Sequence, residues 1–238
     1  MNRTVFYFFL SISLFAMLLG ITPVVDAADK VVVVPLASSS QKDIERGFSV
    51  VKTGTGRYWM DRNLGALRPA TSKNDPDSWG DMYQWGRFGA GHQLRFSSTS
   101  STVLTSPTAY SRYFIAWTGN WLDHIDNTLW QGVNGTNNPC PQGFRLPTKE
   151  EWQAEIDSWG STSAVSAMNS PLKLPLGGLR DSIGTGGGLF APVTSGFYWS
   201  SSVVPAGGAY ALEITSTYGA LINTYSRSNG MSVRCIQN

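Results

Sequence analysis

The hydrophobic and polar positions of this chain change rhythm several times. Residues 5–25 show no alternation: Phe8, Phe9, Leu10, Ile12, Leu14, Phe15, Leu18 and Leu19 form an almost uncharged run behind Arg3. A basic start followed by an apolar stretch is the pattern of an export signal. Pro23 interrupts the run, and Val25-Asp26-Ala27 offers the small residues that a signal peptidase reads, so cleavage is expected after Ala27, with Ala28 the neighbouring choice. The run also approaches the roughly 20 residues that span a bilayer, which leaves a retained anchor open as an alternative. No later window is long and apolar enough to span, and no cysteine lies near the cleavage point to accept a lipid.

Past the signal, Val31-Val32-Val33-Val34 halted by Pro35 reads as a short edge strand. Residues 37–47 are polar and Ser-rich, so 28–47 is expected to be a strand and linker ahead of a single domain over 48–238. Residues 48–52 and 57–60 flank Thr53-Gly54-Thr55-Gly56 and predict a hairpin. Trp79, Met82, Tyr83 and Trp85 are spaced for one or two helical turns within 78–87. Residues 88–138 have no clear period, yet they carry Tyr110, Tyr113, Phe114, Trp117, Trp121 and Trp130, too many large rings for disordered chain. Thr148-Lys149-Glu150-Glu151 is a capping box after Pro147, with Trp152, Ile156 and Trp159 at helical spacing, and predicts a helix over about 149–159. The last third alternates: Tyr210, Leu212 and Ile214 against Ala211, Glu213 and Thr215, then Met231, Val233 and Cys235 against Ser232 and Arg234. Separated by glycine turns, this predicts a half-buried antiparallel meander.

Composition narrows the class. Charged residues make up 14 % of the chain, and 18 Lys+Arg stand against 16 Asp+Glu with no basic run, which argues against a nucleic-acid partner. Cys140 and Cys235 are the only cysteines, and an even count in an exported chain reads as one disulfide. Two free thiols, or a zinc site with His92 and His124, are the alternatives, the latter lacking any short ligand spacing.

Several ordered blocks then form a recognisable series: Trp59-Met60-Asp61-Arg62-Asn63-Leu64-Gly65, Gly80-Asp81-Met82-Tyr83-Gln84-Trp85-Gly86, Asn138-Pro139-Cys140-Pro141-Gln142-Gly143-Phe144-Arg145-Leu146-Pro147-Thr148, Tyr198-Trp199-Ser200-Ser201-Ser202 and Ser232-Val233-Arg234-Cys235-Ile236. From about residue 48 to the end the chain resembles the Fibrobacter succinogenes major paralogous domain, a family of exported bacterial proteins. The resemblance implies an α+β fold similar to the C-type lectin and formylglycine-generating enzyme group, with short antiparallel strands and long loops. It implies no settled activity.

Candidate chemistry follows from what the residues allow. Formylglycine generation needs a reactive cysteine pair, whereas the two cysteines here stand 95 positions apart. Ser200, Ser201 and Ser202 lack a nucleophile elbow, and the carboxylates Glu150, Glu151, Glu155 and Asp157 fall on a helix where such charges form a solvated face. The acidic cluster Asp75, Asp77 and Asp81 fails the calcium-loop pattern, and the sugar-coordinating triplets of calcium-dependent lectins are absent. The expectation is a non-enzymatic exported module without metal or cofactor, located in the periplasm, at the cell surface or outside the cell. Its ligand, a carbohydrate or a protein, is expected at Trp117 and Trp121 in the irregular segment, each of which could equally fill the core. Tyr218, Asn223, Tyr225 and Arg227 near the terminal turns complete the candidate surface. Trp59, Trp85, Trp152 and Trp199, inside the recurring blocks, are expected in the core. An assembly protein joined through the Val31 strand, a display protein diversified by a retroelement, and an enzyme with a carboxylate or metal site are the alternative roles.

Overall fold

The computed structural model describes residues 21–25, 31–35 and 47–238. The expected cleavage point at Ala27 and the linker up to residue 46 lie outside those residues. Strands β1 (Ile21–Val25) and β2 (Val31–Pro35) pair antiparallel with Val25 opposite Val31. The expected edge strand is therefore present, and its partner comes from the stretch read as export signal.

The 53–57 turn joins β3 (Val50–Lys52) to β4 (Tyr58–Met60) in the expected hairpin. Four two-residue strands then punctuate long irregular chain: β5 (Tyr83–Gln84), β6 (Thr99–Ser100), β7 (Phe114–Ile115) and β8 (Phe144–Arg145). Helix α1 (Lys149–Ser158) starts where the capping box sets it. Thr148 Oγ1 accepts the Glu151 amide at 3.2 Å, and Glu151 Oε2 accepts the Thr148 amide at 2.9 Å. Helix α2 (Ala164–Asn169), capped by Ser163, follows, then the pair β9 (Leu179–Asp181) and β10 (Gly188–Phe190). Strands β11 (Ser195–Val203), β12 (Gly208–Thr215) and β13 (Gly219–Ser226) make the antiparallel meander. The chain ends by stitching other sheets together: β14 (Gly230–Met231) lies between β9 and β5, and β15 (Ile236–Gln237) between β4 and β8. The result is a compact α+β fold of small, mostly antiparallel sheets. Among the described residues no helix is long and apolar enough to cross a membrane.

The meander divides the core because side chains alternate across a strand. Phe197, Trp199 and Ala211 face one apolar cluster with Trp85, Trp121, Trp130 and the cysteines. Tyr198, Leu212 and Ile214 face the other, against α1, α2, Trp59 and Trp152. Trp59, Trp85, Trp152 and Trp199 are fully buried, and Cys140 is bonded to Cys235, which closes the free-thiol and zinc alternatives.

A core so rich in tryptophan has polar N–H groups to satisfy; among the described residues the buried Nε1 of Trp59 finds no partner, but several others become ties between segments. Trp85 Nε1 donates to Ser200 O at 2.9 Å, Trp199 Nε1 to Tyr83 O at 2.7 Å and Trp152 Nε1 to Trp199 O at 3.2 Å. Buried arginines do the same for the loops. Arg87 donates to Tyr113 O and Ser111 O, Arg180 to Gly187 O and Ser97 O, and Arg234 to Met60 O and Leu172 O. Each planar fork reaches two or more carbonyls that irregular chain would otherwise leave unpaired.

Three expectations are corrected. Residues 78–87 form no helix: a 3-10 turn over Pro76–Ser78 leads through Gly80, whose φ of +68° is left-handed, into β5. A Cβ at Gly80 would sit 2.3 Å from Leu64 O, so the sharp turn there depends on glycine. Second, the stretch from Met231 to Cys235 is buried on both sides, because Arg234 finds Asn63 Oδ1 at 3.0 Å besides its carbonyls. Third, Glu155 belongs to no solvated face: it is buried, and its Oε1 accepts from Thr53 and Thr55 at 2.6 and 2.7 Å, fastening the β3–β4 turn to α1.

Candidate functional site

The irregular 88–138 segment folds onto the first cluster and leaves a cleft of about 430 Å³ at the surface. Its backbone is ordered by short pairings. Leu104 N donates to Trp121 O and Asp123 N to Leu104 O, both at 2.9 Å, so the 103–104 stretch runs beside 121–123. Trp117 and Trp121, four residues apart, have opposite fates. Trp121 is 1 % exposed, donates its Nε1 to Trp85 O at 2.6 Å and lies under the Arg87 guanidinium. Trp117 is 49 % exposed and lines the cleft.

Beside Trp117 the lining is mixed. Val103, Leu122 and Ile125 are apolar; Asn120, Asp123 and His124 are polar. His124 Nδ1 and Asp123 Oδ1 are 2.7 Å apart, and Asn120 Nδ2 donates to His124 O at 2.6 Å. Thr118 and Gly119, with Ala206 and Gly207 from the β11–β12 turn, complete the lining. Gly207 has φ +105°, and a Cβ there would lie 3.2 Å from Ile125 Cδ1, so the turn and the loop fit closely only without a side chain.

The end of β13 holds this loop from behind. Arg227 N and Ser226 Oγ both donate to Gly119 O, at 3.0 and 2.9 Å. The Arg227 guanidinium stacks on Trp85 with 4.3 Å to the ring centroid and donates to Asp126 O and Gly208 O. Burial pushes it down to about 10, which still leaves it charged at neutral pH, and nearby Asp126 opposes the shift. The Asp126 carboxylate is itself held below its usual range, chiefly by the Thr128 hydroxyl, and so caps the following turn.

The six sequence candidates therefore do not form one surface. Trp121 and Arg227 are corrected to parts of the frame, since both are about 1 % exposed and spend their polar atoms inside the protein. Tyr218 is 82 % exposed but sits at the β12–β13 turn beside Thr162. The eight residues of β13, roughly 25 Å of extended chain, separate it from Arg227. Asn223 and Tyr225 bond the same Glu213 carboxylate oxygen, and Tyr225 packs edge-on against Phe197 at 5.6 Å. Burial and then Glu213 push the Tyr225 phenol upward, so it remains a neutral donor. Asn223 Oδ1 also accepts the Thr224 amide at 2.8 Å, covering a strand-edge group. Of the six, only Trp117 lines the cleft. The groups the sequence reading missed are Asn120, Asp123 and His124, a polar cluster between tryptophans that was visible as composition but not as geometry.

The tempting serines are structural. Ser200 Oγ donates to Tyr210 O at 2.8 Å, Ser201 Oγ to Pro147 O at 3.3 Å, and Ser202 Oγ accepts the Lys149 amide at 3.0 Å. A second hollow of about 660 Å³ is lined by Arg68, Pro69, Ala70, Thr71, Met168, Asn169 and Lys173. Arg68 is already paired with Asp75 and Asp77, and among the described residues no aromatic ring lines that hollow. Compared with known proteins, the chain matches no family model, no curated protein and no solved structure.

Proposed function

We propose that this chain is an exported, non-enzymatic binding module of the Fibrobacter succinogenes major paralogous domain family, with a C-type lectin-like fold, and that it captures its ligand in the Trp117 cleft. The carrying observation is the half-exposed Trp117 indole beside Asn120, Asp123 and His124, on a loop fastened from behind by Arg227. A preformed concave site with one aromatic face and few convergent polar groups is the usual form of a ligand pocket. The internal disulfide and the N-terminal apolar run support a location outside the cytoplasm: periplasm, cell surface or medium. Arrays of glycans and of surface proteins, probed with residues 28–238, test the reading. Capture that Trp117→Ala abolishes is the expected result; capture indifferent to that change removes the site.

A second reading rests on the β1–β2 register. Cleavage after Ala27 falls between the two strands and would free the edge of β2 for addition to a partner sheet. Oligomeric mass measured with and without residues 28–46 tests it, and an unchanged mass counts against it.

A further inference from the structure

The class of ligand can be read from the cleft, and this step rests on the cleft being the binding site. Its lining divides into an apolar part, with Trp117, Val103 and Ile125, and a polar part, with Asn120, Asp123 and His124. A pyranose ring has the same division: a face of C–H bonds that stacks on an indole, and a rim of hydroxyls that both donate and accept.

Charge removes the acidic alternatives. Among the described residues no lysine or arginine lines the cleft, and Asp123 is the one carboxylate there. A phosphate, sulfate or uronate would meet no counter-charge there and would face a like charge. A peptide added as a strand is held by main-chain bonds along a sheet edge, whereas this lining comes from loop residues and the β11–β12 turn. Asp123 Oδ1 is engaged by His124 Nδ1, and among the described residues Asp123 Oδ2 and His124 Nε2 make no hydrogen bond, so both are left to meet hydroxyls. Asn120 spends Nδ2 on His124 O and keeps Oδ1 as an acceptor.

We infer that the cleft takes a neutral saccharide, stacked on Trp117 and bonded directly through Asp123, His124 and Asn120. Among the described residues no three His, Cys, Asp or Glu side chains converge to hold a cation, so the contact is expected to persist in chelator.

The test is calorimetric titration of residues 28–238 with short neutral hexose and pentose oligosaccharides, their sulfated or uronate-bearing counterparts, and a peptide panel, with and without EDTA. Trp117→Ala, Trp117→Phe and Asp123→Asn are run alongside, with thermal melts as the control for folding. At least one neutral saccharide should bind equally well in EDTA. Its affinity should fall about tenfold or more in Trp117→Ala, with partial retention in Trp117→Phe. Binding of only acidic saccharides or peptides, abolished by Trp117→Ala, overturns the saccharide inference while leaving the site. Saccharide binding that ignores Trp117→Ala overturns the site itself. Loss of binding in EDTA, or no binding across the neutral panel, overturns the inference.

Discussion

Trp117 and Trp121 show how little separates a proposed ligand face from a core residue. They share a residue type and a loop, and no period in 88–138 assigns either to a side; burial against the first cluster, the N–H bond to Trp85 O and the Arg87 guanidinium single out Trp121 in three dimensions. Trp121→Ala should therefore cost about 3–5 kcal/mol of stability, read by urea unfolding, as expected for a truncated buried aromatic. His92 gives a second residue-scale prediction. It is fully buried, and burial first, then Arg87 and Arg180, hold its pKa well below the ordinary value. The unfolded chain takes up that proton near pH 6.5 and the folded chain does not. Stability should be level above about pH 6.5 and fall as pH drops below it, by up to about 1.4 kcal/mol per pH unit, until the folded pKa is reached. Unfolding midpoints between pH 7.5 and 5 check the slope, and His92→Gln should flatten it.

At the scale of elements, legibility followed the locality of the signal. The β3–β4 hairpin and α1 were readable because a glycine turn and a capping box act over four residues. Residues 78–87 misled because aromatic spacing suited a helix, while the left-handed Gly80 and its contact with Leu64 O dictate a turn. Arg234 and Glu155 were misread as outward-facing because their interior partners come from distant segments. The cap of α1 can be tested directly. Glu151 is desolvated by burial, but Arg145, the Thr148 amide and Arg57 more than offset this and hold its pKa below the usual carboxylate range. Its contribution should be present at neutral pH and lost as pH falls through that lowered value. Glu151→Gln keeps an oxygen for the Thr148 amide but loses the ion pairs to Arg145 and Arg57, and should cost about 0.5–1 kcal/mol at pH 7, with the difference from wild type vanishing in acid. A deficit that persists in acid would count against this account of the cap.

For the molecule as a whole, loops are held by a few interior ties: the disulfide, the tryptophan N–H bonds and the arginine forks. Cys140 and Cys235 close a separation of 95 residues, and replacing both with serine should cost about 4–5 kcal/mol in the chain-entropy model, read from denaturant midpoints. The same ties separate frame from site. Arg227→Lys keeps the charge but not the fork, so it should loosen the 119–127 loop and, if the proposed cleft is the binding site, weaken capture there without contact to the ligand. The site itself was only partly legible: Trp117 was readable as a candidate, but its polar neighbours were not, since their convergence depends on Arg227 and the β11–β12 turn. The chain carries nine tryptophans, each with one indole N–H resonance. The most direct measurement is an NMR titration of those resonances with a captured ligand. The account predicts that the Trp117 signal moves while those of Trp59, Trp85, Trp152 and Trp199 stay in place; a Trp117 signal that stays fixed while ligand binds would contradict it.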